Sequence, residues 1–130
     1  MVATNGKKQT NIDQFSTLDS MTDKIYGLEQ SLRMAKIELA GLEDSLDLYK
    51  LEVEKAIASD ETLKNDTQRK AKRLELQLKS DYSQMVSDIL KAKDKISNLE
   101  IELNLVNNRF SVAKLRSRFE IANLLKLGDF

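Results

Sequence analysis

The side chains able to do chemistry in this chain are carboxylates and bases. Glu43 and Asp44 with Asp47 form one acidic cluster, Glu100 with Glu102 forms another, and Asp60 and Asp66 flank a short polar segment. A hard cation would need a turn that gathers such oxygens, and the spacing here is not that of an EF-hand. At helical positions they read as solvated faces. The bases concentrate in NDTQRKAKR, residues 65–73, where Arg69, Lys70, Lys72 and Arg73 follow an Asn-Asp pair and Lys64 stands just before it. Such a cluster suits phosphate contacts, which are electrostatic and nearly blind to base sequence. Cations at a helix start also oppose the helix dipole, which argues for a purpose. Against that, no aromatic side chain lies among them to stack on a nucleobase. A charge run is more simply a solvated face, and that is the preferred reading.

Other chemistries lack their residues. The sequence has no His and no Cys, which removes the commonest general base, the thiolate nucleophile and the soft zinc ligands. A diiron bundle of the Glu-x-x-His kind is excluded for the same reason. The four glycines are isolated, so no phosphate-cradling loop is present. The expectation is a non-enzymatic protein with no metal and no cofactor.

The elements that position these groups follow from composition and periodicity. The 130 residues suit one domain, and the absence of Pro with 32% charged residues points to long helices rather than turn-rich folds. Charge balances at 21 against 21. The start, MVATNGKKQTN, has no apolar core and does not resemble a signal peptide. No apolar run reaches membrane-spanning length. A soluble, cytoplasmic protein is expected, without membrane contact.

Two seams run along the chain. Leu18, Met21, Ile25, Leu28, Leu32, Ala35, Leu39, Leu42, Leu46, Tyr49, Val53 and Ala56 alternate steps of three and four, as do Tyr82, Met85, Ile89, Ala92, Ile96, Leu99, Leu103, Val106, Phe110 and Ala113. A strict repeat of this length is a coiled-coil pattern. Between the runs Ala71, Leu74, Leu78 and Tyr82 step by three, four and four, a stutter. Asn65 with Gln68, Asp81 with Gln84 and Asn11 with Gln14 fit capping boxes, and Gly128 suits a helix C′ position after Lys126. The expected fold is all-α: a long antiparallel two-helix coiled-coil hairpin with a short helical tip, oligomerising into a helical bundle. Residues 1–11 form a disordered tail and 12–130 a single domain, with helix 12–59, tip 60–81 (a short helix at 67–79) and helix 82–127. In that hairpin Ala56 would meet Tyr82, Ala92 would meet Leu46, and Ala35 would meet Leu103.

A second stripe occupies the opposite face of the last helix: Ile101, Leu105, Asn108, Val112, Leu115, Phe119 and Ala122. The first helix carries a weaker one through Gly27, Met34, Ile37, Gly41, Leu48 and Leu51. A hairpin buries one stripe per helix, and soluble monomers rarely expose a large apolar patch. A homo-oligomer is therefore expected, a dimer before higher states, with a partner-protein helix as the second choice. Asn108 could set register, as buried Asn does in zippers. The bases Arg109, Lys114, Arg116 and Arg118 form a second positive patch. In the hairpin it would face the acidic half of helix 1, so pairing within the chain competes with any external role.

NDTQRKA, then Asp81-Tyr82, EIELN and RFSVAK, over residues 65–115, resemble small coiled-coil proteins encoded by phages and mobile elements near replication and recombination genes. The resemblance implies a non-enzymatic accessory role in DNA metabolism and carries no catalytic residue. Two functions remain at this point. One is a structural or adaptor coiled coil that self-associates and scaffolds partner proteins. The other is a nucleic-acid-processing accessory that touches DNA or RNA through Lys64, Arg69, Lys70, Lys72 and Arg73.

Overall fold

The computed structural model describes the backbone of residues 6–128 and the side-chain surroundings of residues 17–126. The described residues form three helices and no strand: α1 Gly6–Ser59, α2 Asp66–Gln77 and α3 Ser80–Gly128. The chain is all-α. Residues 6–11, assigned to a tail by the sequence pattern, are helical, so Asn11 lies inside α1 and does not cap it. Residues 1–5 of the expected tail lie outside the described residues. Gly128 is the last residue of α3 rather than a cap beyond it.

Local chemistry explains the breaks. Ser59 Oγ donates to the Lys55 carbonyl at 2.8 Å, inside the last turn of α1. Asp60 then accepts at one carboxylate oxygen from the Thr62 amide (3.0 Å) and hydroxyl (2.6 Å), a side-chain-built turn of the Asx type. These bonds favour the anion, so Thr62 holds the Asp60 carboxyl below its ordinary range, with Lys72 assisting weakly. Asn65 is extended and caps α2, accepting from the Gln68 amide at 2.9 Å. The Gln68 side chain returns the bond to the Lys64 amide at 2.7 Å. The expected capping box is present, its return bond one residue early. α2 ends where the Leu78 amide is shared between the Leu74 and Glu75 carbonyls, and the Ser83 amide bonds back to the Lys79 carbonyl as α3 begins. At the third proposed box Gln84 turns forward and donates to Asp88 at 2.8 Å.

The chain divides into two compact units. Unit 1 combines α1 through Leu32 with α3 from Asn98; unit 2 is Arg33–Ser97. In unit 1 the seam residues Leu18, Met21, Ile25, Leu28, Leu32, Leu99, Leu103, Phe110 and Ala113 are half-buried and Val106 is buried. Burial continues past the expected end of the seam, with Ser117 buried and Glu120 half-buried. Lys24 pairs with Glu102 at 3.8 Å. In unit 2 Ala35, Ile89 and Ala92 are buried, and Leu39, Leu42, Leu46, Tyr49, Val53, Tyr82, Met85 and Ile96 half-buried.

Unit 2 corrects the sequence pattern in three places. Ala56 is exposed and Ile57 is buried instead. The seam takes two steps of four at Tyr49–Val53–Ile57, because burying Ile removes more apolar surface from water than burying Ala. Tyr82 stacks at a tilt on Tyr49, ring centroids 5.9 Å apart, one heptad earlier than the expected Ala56. Finally, Leu74 and Leu78, which step between the two runs at the stutter, are 59% and 75% exposed. α2 turns Lys72, Arg73 and Leu76 inward instead.

Candidate functional site

The basic cluster sits on α2, and the structure shows what its charges do. Arg73 forms a forked pair with Glu54 of α1, Nε to Oε1 at 2.6 Å and Nη2 to Oε2 at 2.9 Å. Two parallel charge-assisted bonds of this kind fix geometry as well as charge. On the same helix Leu74 and Leu78 stand exposed. Arg69 pairs with Asp66 at 3.3 Å and Lys72 with Glu75 at 3.6 Å, each one turn apart on α2. Among the described residues only Lys64 and Lys70 of the five candidate bases carry no ion pair. Beside Arg73 an open groove of about 410 Å³ is lined by Tyr49, Lys50, Val53, Glu54, Gln77 and Tyr82.

The Arg73 fork holds the Glu54 carboxyl below its ordinary range, and Glu54 in turn raises the Arg73 guanidinium. A carboxyl with a depressed folded value stabilises the pair above its unfolded pKa and loses that contribution as pH falls through the folded value. Arg73→Ala should therefore return the Glu54 titration to the ordinary glutamate range and speed amide exchange in α2. Carboxyl NMR titration checks this; an unmoved Glu54 curve would show that the fork is not formed in solution.

The outer faces are the other candidate. Ile101, Leu105, Asn108, Val112, Leu115, Phe119 and Ala122 are all exposed on α3 in unit 1. On α1, Gly27 in unit 1 and Met34, Ile37, Gly41, Leu48 and Leu51 in unit 2 are exposed too. A Cβ built on Gly27 or Gly41 meets nothing within 4 Å, so no group of this chain requires a glycine there. The competing reading, pairing of the second basic patch with helix 1, is not seen among the described residues. Arg109, Arg116 and Arg118 carry no ion pair among the described residues, and Lys114 lies 4.7 Å over the Phe110 ring. Arg109 and Arg116 flank the outer stripe. Together with Asn108, Val112 and Ala113, and Thr17 and Met21 of α1, they line a groove of about 420 Å³ in unit 1.

Among the described residues no three metal-ligating side chains come together, and no helix is long and apolar enough to cross a membrane. Comparison with known proteins finds no matching family model, no matching curated protein and no matching solved structure. Fold and faces together define an all-helical protein with two seams and two uncovered apolar stripes.

Proposed function

We propose that this protein is a structural or adaptor coiled coil: an antiparallel helical hairpin that self-associates, a dimer first, and uses the resulting bundle to scaffold partner proteins. The observation that carries this is the imbalance of burial. Among the described residues the buried apolar ones are Ala35, Ile57, Ile89, Ala92 and Val106, two of them alanines, while large apolar side chains stand exposed along both outer faces. A single chain so thin in core is completed by another helical layer. The contacts of unit 2 support the antiparallel reading, since Glu38 meets Lys95, Tyr49 meets Tyr82 and Glu54 meets Arg73 in opposing chain order.

Light scattering after size exclusion should give a mass of at least two chains at micromolar concentration, with helix content far above the globular average of about one third. A compact monomer would overturn self-association. The nucleic-acid reading, and with it the phage-like accessory role, has narrower support, because Arg69, Lys72 and Arg73 face acids of their own chain. It rests on Lys64 and Lys70. Absence of a gel shift at low salt would remove it.

A further inference from the structure

The two uncovered stripes differ in their rims. The α1 stripe in unit 2 runs Met34, Ile37, Gly41, Asp44, Leu48, Leu51, with Asp47 and Glu52 beside it. The α3 stripe in unit 1 has Arg109, Arg116 and Arg118 beside it and Asn108 within it. Asp44, Asp47, Glu52 and the three arginines are exposed and carry no ion pair among the described residues. We infer that the α3 stripe of one copy docks in parallel on the α1 stripe of a second copy, with Asn108 opposite Asp44. This rests on the self-association proposed above and specifies its contact.

The register follows from the polar interruptions. Each stripe has one polar residue within its apolar run, Asp44 and Asn108. Both occupy the same phase of the alternating three-four repeat, and in parallel coiled coils like phases meet. Placing Asn108 against Asp44 sets Ile37 against Ile101, Gly41 against Leu105, Leu48 against Val112 and Leu51 against Leu115. A glycine then faces a leucine, and a Cβ built on Gly41 meets nothing within 4 Å in the single chain. The Asn108 amide can donate to the Asp44 carboxylate, so neither polar group is left bare.

The flanking charges agree with the same register. In a parallel pair the residue before one core position reaches the flank of the next heptad on the facing helix. That places Asp47 against Arg116, an attractive pair, and Arg33 against Glu102, which already meets Lys24 of its own chain, and it opposes no like charges between the two flanks. Pairing like stripes does worse. Two parallel α1 stripes would bury Asp44 against Asp44, and two α3 stripes would set Arg109 against Asn104 and Arg116 against Ser111, leaving the arginines without an acid to answer them. Close like charges across an interface are a strong negative selector.

The chain has no cysteine, so single thiols report contacts without background. Full-length Leu51→Cys and Leu115→Cys chains of different tag length are mixed and mildly oxidised. The expected result is a mixed disulfide formed at least tenfold faster than either same-variant disulfide, since facing positions of this phase suit disulfide geometry. The Ile37→Cys with Leu115→Cys mixture should stay unlinked, because in the parallel register those positions lie about 20 Å apart along the axis. Linkage of Ile37→Cys to Leu115→Cys, or Leu115→Cys linking to itself as fast as to Leu51→Cys, overturns the inference. If wild type has the mass of two or more chains in that case, only the pairing fails. If wild type is monomeric, self-association fails with it.

Discussion

Val106→Asp should lower the melting temperature by roughly 10–20 °C and strip helix from unit 1. Among the described residues of that unit Val106 is the most deeply buried, 4% exposed on the α3 seam. An aspartate there is desolvated with no built partner, and such burial costs several kcal/mol. For a chain of this size each kcal/mol moves the transition by about 3–5 °C. The total stability of a small domain is about 5–15 kcal/mol, so the loss is a large fraction of it. Circular dichroism at rising temperature reads the effect directly. A change of only a few degrees would mean that Val106 is not shielded from water, and that the α3 seam is not a core.

That seam was legible because heptad phase is a long-range signal. Twenty-two positions were assigned by stepping alone, and the described structure leaves only Ala56 of them exposed. Ala56 shows where stepping stops working. Strict phase selects Ala56, but its neighbour Ile57 is the larger apolar group, and near the end of α1 the helix needs only a small rotation to bury it. Ser117 fails in the other direction. It keeps the phase beyond Ala113, as does half-buried Glu120, yet a polar side chain gives no hydrophobic mark, so the apolar stepping ends two steps before the burial does.

The tip was legible in its caps and not in its orientation. Asn65 with Gln68 is local chemistry, three residues apart, and the structure forms it. Leu74 and Leu78 continue the apolar stepping between the two runs, yet both stand exposed. Arg73 meets Glu54, nineteen residues away across a turn, and no spacing rule reports that. The basic cluster changes meaning as a result. In sequence it is a run of free cations, and in the structure it is partly a latch between α1 and α2, with Lys64 and Lys70 left toward solvent.

Leu115→Asp should leave the helices in place and reduce the mass to that of one chain. Leu115 is 63% exposed in the single chain, beside Phe119 at 69%, so the substitution removes little from the intramolecular core. Surface changes of this kind cost a fold about half a kcal/mol or less. In an interface the same side chain sits among apolar neighbours that exclude water, where an unpaired carboxylate costs several kcal/mol. Truncations at such central positions cost about 2–4 kcal/mol, some 30- to 1,000-fold in dissociation constant. The two aspartate variants therefore separate the two faces of one helix. Val106→Asp should lose helix, whereas Leu115→Asp should keep helix and lose association. If Leu115→Asp retains the wild-type mass, the outer stripe is not the contact, and the exposed apolar face of α3 must serve a partner other than a second copy.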